Sequence, residues 1–377
     1  MEKRIAYFTN IAPHYRDPLW RVLVSTTDFE IHFFFGEPRK NGIRSIDFNN
    51  LFWLDYKNRI HILRNRRIKG LLIWQKDVIR EILSNRWESF MFLGDMYIIS
   101  TWIAVVLAKI RNKKVYYWTH GIYGNENRLK LFIRRQFLML ADKLLLYGNH
   151  SKSLMIKNGF DEEKLHVVFN TLDYYRHFQL RNEVINSDFY RTRNYFKNYK
   201  LPILIFIGRL TENKKLDLLV KAVVELNAEK NRLNLILVGD GPVKSSLENL
   251  TTELNGTFKF YGESYDEQEL GRLISNASVC VSPGNIGLTA IHALSFGTPV
   301  ITHNNFNNQM PEFEAIDNGI NGAFFEENDL GSLKKTIADW LNRHPQKDIG
   351  LRNSCYKKID SFYNPGYQLQ IFRKILL

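Results

Sequence analysis

ILIFIGRLTENKKLDLLVKAVVELNAEKNRLNLILVGDGP, residues 203–242, decides the fold. Its first five residues are a continuous apolar, β-branched run that stops at Gly208, which predicts a strand buried on both faces. After the loop 209–215, apolar residues recur at Leu216, Leu219, Val220 and Val223, the spacing of one helix face. Residues 233–238 predict the next strand, closed by Gly239-Asp240-Gly241-Pro242. Strand, helix, strand, with turn residues at each strand's C-terminal end, is the repeat of a parallel sheet covered by helices.

The pattern extends both ways. Downstream, strands are predicted at 258–261 and 279–282, ending at Gly262 and at Pro283-Gly284, and at 299–302, following the helix around His292. Upstream, candidates lie at 5–8, 29–35, 89–93, 114–118 and 143–147, with room for helices between them. The fold class is therefore α/β, with two doubly wound Rossmann-like domains facing a central cleft where the strand C-termini meet. The expected division is 1–175, a polar and basic linker at 176–200, and a second domain at 201–355. Residues 367–377 read as a short amphipathic helix.

A chain of 377 residues accommodates about two domains at ~150 residues each. Its 45% apolar and 24% charged residues exclude a disordered or collagen-like chain. Cys280 and Cys355 have no metal-ligand spacing and suit a reducing compartment. The apolar run 97–108 falls short of the ~20 residues of a bilayer span and predicts a buried helix instead. With only 5–8 as an apolar core near its start, the chain is expected to lack a secretory signal and to be cytoplasmic.

Charge divides the two halves. Residues 1–200 hold 34 Lys+Arg against 19 Asp+Glu, a net of +15, whereas residues 201–377 hold 18 against 20. A basic half fits nucleic acid, anionic lipid or a phosphate-bearing substrate, and charge alone does not choose among them. No nucleic-acid-reading motif is present, so no nucleic-acid partner is expected.

Chemistry concentrates at two strand ends. In residues 282–301, SPGNIGLTAIHALSFGTPVI, a strand stops at Pro283, a glycine-bearing loop follows, and a helix is predicted from near Gly287 to Gly297. Such a loop lets backbone N–H groups approach an anion, although a tight turn without ligand reads equally well. The loop after residue 207 offers Arg209 and Lys214 to phosphate oxygens, or is a solvated loop. Gly239-Asp240-Gly241-Pro242 lacks the third glycine of a dinucleotide fingerprint and reads as a turn.

Gly208-Arg-Leu-x-x-x-Lys214, Leu237-Val-Gly-Asp-Gly-Pro242, Phe258-x-Phe-x-Gly262 and Gly287-Leu-x-x-x-x-Ala-Leu-x-x-Gly-Thr-Pro-Val300 together resemble the C-terminal domain of family-4 retaining glycosyltransferases with the GT-B fold. Thr119-His120-Gly121, Ala141-Asp142 and Phe169-Asn170-Thr-Leu-Asp173 extend the resemblance into the first half. It implies transfer of a sugar, with retention, from a nucleotide diphosphate sugar (UDP favoured, GDP open) to a growing glycan. The expected acceptor is a lipid-linked oligosaccharide in cell-surface polysaccharide assembly. It also implies that residues 356–377 cross back to the first domain. No metal and no cofactor are expected, since the nucleotide sugar is a co-substrate.

By the same resemblance His120, Arg209 and Lys214 are the catalytic candidates. Gly208, Gly284, Asn285, Ile286, Gly287, Leu288, Thr289, His292 and Glu312 are the donor-binding ones. His14, Tyr15, Arg16 and Asp95 follow strands in the first half and are acceptor-contact candidates, with Asp95 also readable as a helix cap.

The chain departs from the family where two glutamates separated by seven residues are usual, since Gly284 and His292 stand there. Lys215 replaces a usual glycine, and the usual Gly-Gly before Pro311-Glu312 is missing. Asn307, Asn308, Gln309 or Glu312 are candidates to take over sugar recognition, and an inactive nucleotide- or glycan-binding partner subunit is the alternative. A membrane face is also readable in 128–140. Leu129, Phe132, Ile133, Phe137 and Leu140 form one helical stripe and Arg128, Lys130, Arg134 and Arg135 lie off it, with a second basic cluster at Arg64, Arg66, Arg67 and Lys69. The same stripe reads as a core-facing helix with a solvated basic side. A peripheral place on the inner face of the plasma membrane would follow from the first reading.

Overall fold

The computed structural model describes residues 3–37, 44–186, 194–229, 233–251 and 256–377. It separates into two compact units, residues 1–173 with 365–377 and residues 174–364.

Unit 1 is built on β1 (Lys3–Thr9), β2 (Phe29–Gly36), β3 (Ile60–Leu63), β4 (Asn65–Ile68), β5 (Leu72–Gln75), β6 (Ser89–Leu93), β7 (Lys114–Thr119), β8 (Lys143–Leu146) and β9 (Leu165–Val167). Seven of these form one parallel sheet in the order β3-β2-β1-β6-β7-β8-β9, and β4 pairs antiparallel with β5 as a separate ribbon. Both faces of the sheet are covered. Ile5 and Tyr7 enter a cluster with Trp20, Phe33 and Trp118, while Ala6 and Phe8 enter another with Phe34, Phe90 and Phe92. Period-two alternation of this kind makes a strand apolar throughout when both sides are buried. The helix Pro365–Leu376 packs Phe372, Ile375 and Leu376 into the first cluster.

Unit 2 carries β10 (Ile203–Ile207), β11 (Asn234–Val238), β12 (Phe258–Gly262), β13 (Val279–Ser282), β14 (Val300–His303) and β15 (Gly322–Phe325), all parallel, in the order β12-β11-β10-β13-β14-β15. Both sheets reverse their strand order beside their first strand, so ligand-binding crevices are expected at the β1/β6 and β10/β13 boundaries.

The stretch read as a linker, 176–200, begins inside a helix, Tyr174–Asn186, that belongs to unit 2. Its Arg181 is bidentate to Asp360 at 2.7 and 2.9 Å and donates to the Ser295 carbonyl at 2.9 Å. Polar composition suggested a linker because the buried face of this helix carries His177 and Arg181 beside only Leu180 and Val184. Residues 187–193 of that stretch lie outside the described residues. The chain leaves unit 2 at Asn364, so residues 356–362 finish a unit 2 helix, Ile349–Phe362, ahead of the crossing.

The predicted helix at 97–108 is found as Ile99–Ile110, buried along Ser100, Thr101, Ala104, Val105 and Ala108. Among the described residues no helix is long and apolar enough to cross a membrane. The strands β3, β4, β5, β9 and β15 escaped prediction. They are three or four residues long and, unlike the equally short β8, β13 and β14, were not marked out as strands in the sequence.

Candidate functional site

In unit 2 the loops that leave β10 and β13 are laced together at the sheet's reversal point. The Gly284 N–H donates to the Lys214 carbonyl at 3.0 Å. A Cβ at position 284 would lie 2.0 Å from the Asn213 carbonyl oxygen and 2.7 Å from the Lys214 Cα. No side chain fits there, so the absent glutamate follows from how closely the two backbones approach. Lys214 reaches across to Asn285, donating to its carbonyl at 2.5 Å and to its Oδ1 at 2.8 Å. Burial lowers the Lys214 ammonium to about 8, against an opposing pull from the Glu312 carboxylate nearby.

Gln309 braces the same loop. Its Oε1 accepts from the Ile286 N–H at 2.9 Å, and its Nε2 donates to Thr302 Oγ1 at 2.8 Å and the His303 carbonyl at 3.0 Å. It is buried with both ends of its amide engaged, so it supports the loop and does not face a sugar. Asn308 is drawn to Glu327 at 3.1 Å. Lys215, at the usual glycine position, adopts a left-handed φ of 50° and also reaches Glu327, at 3.1 Å. Thr289 Oγ1 donates to the Ile207 carbonyl at 2.8 Å, tying the start of the helix Thr289–Ser295 to the end of β10.

Beside this loop lies a cavity of about 170 Å³ lined by Ile207, Gly208, Arg209, Val238, Gly239, Asp240, Glu263, Ser264 and Tyr265. Arg209 is exposed at its edge. His292 is engaged elsewhere. Its Nε2 meets Glu267 Oε2 at 3.0 Å, and its ring packs against His177 and Phe296.

Unit 1 gathers a different set. A cavity of about 330 Å³ is lined by Leu93, Gly94, Asp95, Tyr97, Thr119, His120, Tyr123 and Arg134. Asp95 and His120, predicted from separate strand ends, come together here because β6 and β7 are neighbours. Asp95 Oδ1 accepts from the Tyr97 N–H at 3.0 Å, a turn-forming contact at the end of β6. The His120 ring lies 4.5 Å from Tyr147 and 5.7 Å from Tyr123, and its buried Nδ1 has no hydrogen-bond partner among the described residues. Burial, then the Arg16 and Arg134 charges, lowers its pKa to about 4, so the imidazole is neutral at pH 7.

Arg16 is a buried residue, not an open contact. Its guanidinium lies 4.4 Å over the Trp118 ring and donates to the Tyr147 hydroxyl. His14 is exposed, with Nδ1 3.0 Å from the Arg44 carbonyl, and Tyr15 stands edge-on to it at 5.8 Å. Neither lines the His120 cavity.

Arg134 was placed on a solvated basic side, and the structure reverses that. It is buried, pairs with Glu126 at 3.2 Å, donates to the Gly121 carbonyl at 3.2 Å and lies 4.9 Å over the Tyr123 ring. The helix Arg128–Met139 instead turns Leu129, Phe132, Ile133 and Met139 outward, with Leu129 69% and Phe132 58% exposed. Phe137 alone of the predicted stripe is fully buried.

Residues 191–359 match the family described as glycosyl transferases group 1. The match spans 169 of the 377 residues, less than half of the chain. An uncharacterized glycosyltransferase from Methanocaldococcus jannaschii is 27% identical over 197 residues, 51% of this chain and 46% of that one. A GDP-mannose-dependent alpha-(1-6)-phosphatidylinositol dimannoside mannosyltransferase from Mycobacterium tuberculosis is 29% identical over 114 residues, 29% of each chain. The chain thus spans less than half the length of these curated relatives. Among solved structures, Anabaena HepE in complex with UDP aligns over 100% of this chain and 99% of its own, with a TM-score of 0.70 at 15% identity. The lipopolysaccharide outer core galactosyltransferase WaaB aligns over 99% of each chain, with a TM-score of 0.71 at 15% identity. The fold is GT-B.

In unit 2, Gly208, Arg209, Lys214, Gly284, Asn285, Ile286, Gly287, Leu288 and Thr289 fall on the two laced loops or the first turn that follows them, whereas His292, Asn307, Asn308, Gln309 and Glu312 lie elsewhere. What sequence reasoning missed is Glu263, Ser264 and Tyr265 after β12, and Tyr97, Tyr123 and Arg134 in unit 1. The first three had one available signal, the strand end at Gly262. Arg134 had none, since its helical period pointed the other way.

Proposed function

We propose that this chain is a glycosyltransferase that moves a sugar, with retention at the anomeric carbon, from a nucleotide diphosphate sugar to a growing glycan. One observation carries the reading: at the sheet reversal of a unit whose residues match glycosyl transferases group 1, Arg209 and Lys214 stand beside a glycine loop that Gln309 braces at Ile286 and Lys214 ties through Asn285. Negative charge develops on the diphosphate as it leaves, and a fixed guanidinium and ammonium in a partly desolvated site favour that charge. Backbone groups of Gly287 and Leu288 complete the anion site, and Glu312, a buried carboxylate near Lys214, is assigned to sugar recognition because Gly284 offers no side chain. This step calls for no metal at the diphosphate and no cofactor.

The nucleoside fits the cavity beside Gly208, Arg209, Gly239 and Tyr265. UDP is the favoured nucleotide, supported by the fold it shares with a protein solved with UDP. The unit 1 cavity with Asp95, His120 and Tyr123 takes the acceptor, and a neutral His120 suits hydrogen bonding to sugar hydroxyls. The acceptor class is a lipid-linked glycan at an anionic membrane surface. Leu129, Phe132, Ile133 and Met139 face outward on one helix with Arg128 and Lys130 exposed beside them. Burying such side chains contributes roughly 1.5–3 kcal/mol each, and each nearby basic residue about 1 kcal/mol on anionic lipid.

Thermal-shift measurements against UDP, GDP, CMP and their sugars test the donor. UDP is expected to raise the midpoint by a few degrees at about 100 times its Kd, with the shift lost in Arg209→Ala. A shift with GDP alone would reassign the base. Binding without transfer to any lipid-linked acceptor would favour a nucleotide-binding partner subunit over an enzyme.

A further inference from the structure

We propose that His177, Glu267 and His292 hold one divalent cation of the zinc type. The three side chains come from three helices of unit 2: Tyr174–Asn186, Glu267–Asn276 and Thr289–Ser295. Both imidazole Nε2 atoms converge on the same carboxylate oxygen, His177 at 2.9 Å and His292 at 3.0 Å from Glu267 Oε2. The three ligand atoms all lie within 4.8 Å of one another. A tetrahedral zinc with Zn–N of about 2.0–2.1 Å sets its ligands roughly 3.3 Å apart, so an ion is accommodated by small side-chain rotations.

The surroundings suit such an ion. The two imidazole rings are nearly parallel, 5.0 Å apart at 15°, and the Phe296 ring closes over them at 5.0 and 5.6 Å. An apolar wall fixes ring orientation and keeps competing water away. His177 is 1% exposed, whereas Glu267 is 37% exposed, so the ion enters from the carboxylate side and a water takes the fourth position. Two imidazoles and one carboxylate select zinc, cobalt or nickel over magnesium or calcium, which prefer all-oxygen ligands.

Without the ion, the imidazoles each direct an N–H at Glu267. On binding, each presents its Nε2 lone pair to the ion with the ring proton on Nδ1. The cation then clamps the first helix of unit 2 to the helix that follows the Gly287 loop. It takes no part in the transfer step.

The protein is stripped with a chelator, then titrated with zinc by calorimetry and with cobalt by visible absorption. One zinc per chain, an intense cobalt d–d band of low coordination number and a raised melting midpoint are expected. His177→Gln and Glu267→Gln should each weaken zinc binding at least about tenfold. Absence of a cobalt band and of saturable zinc binding in the wild-type chain overturns the site, as does stoichiometric binding that both variants leave unchanged. The thermal shift with UDP is read separately on the stripped protein, so failure of the metal site and failure of the donor reading are distinguishable.

Discussion

The two units share a sheet plan and mount their polar groups in opposite ways. Unit 2 is lined by aliphatic residues, Leu204, Leu235, Leu237, Val279 and Val281 among them, and its candidate site is made by backbones brought close at Gly284. Unit 1 is aromatic, with Tyr7, Trp20, Phe33, Trp118 and Tyr147 in one cluster, and its candidate site is made by side chains stacked on that cluster. Arg16 rests on Trp118, and His120 rests on Tyr147. A backbone site tolerates little change in residue size but presents fixed dipoles. An aromatic site places charged and titratable groups in a low-dielectric setting and shifts them, as the neutral His120 illustrates.

The largest expected effect breaks unit 2. Lys214→Ala and Arg209→Ala should each lower the rate of sugar transfer by about 10²–10³-fold while the far-ultraviolet circular dichroism is unchanged. If either variant transfers sugar at the wild-type rate, the diphosphate assignment fails. Next is Gly284→Ala, which forces a Cβ against the Asn213 carbonyl and should destabilise the chain by roughly 1–3 kcal/mol in urea unfolding. Gly284→Glu, despite restoring the family's residue, should not raise activity.

In unit 1, His120→Ala should lower turnover about tenfold through the lost hydrogen bond and leave the UDP-induced thermal shift intact. With its pKa lowered to about 4, His120 should contribute no inflection to the pH–rate profile near 6.5. A titration there would show that the imidazole is solvated and the aromatic setting ineffective.

Lys214 gives the opposite dependence. In the donor-free chain its ammonium titrates near 8, and a bound diphosphate raises that value. Donor affinity is therefore flat below pH 8 and weakens as pH rises through 8, by at most about tenfold per unit. Isothermal titration of UDP between pH 7 and 9.5 reads this directly, and a flat profile would remove Lys214 from the anion site. The smallest effect is on stability: Leu129→Ser with Phe132→Ser should change unfolding free energy by about 0.5 kcal/mol or less per site, since both are exposed. Co-sedimentation with vesicles containing anionic lipid should fall sharply in the same variant.

How much of the site was legible depended on which unit carried it. Gly208, Arg209, Lys214 and Gly287 stand out because a strand end, a glycine and a cation occur within a few residues of one another. In unit 1, His120 and Asp95 were legible as strand-end residues, but the burial of Arg16 was not. Nothing in its neighbours announces the Trp118 ring that covers it, 102 positions away in the chain.

The amino-acid sequence by itself determined two parallel sheets and the strand-end loops proposed for the donor. Continuous β-branched runs cannot be half-exposed, and glycines after them mark where the backbone must turn sharply or approach closely. The tertiary structure alone decided three things. It decided that position 284 has no room for a side chain, because the obstacle is the backbone of another loop. It decided which face of the helix Arg128–Met139 is outward, since a helical period defines a stripe but not its partner. It brought His177, Glu267 and His292 onto one point, which no spacing encodes, because helices far apart in the chain meet only through packing.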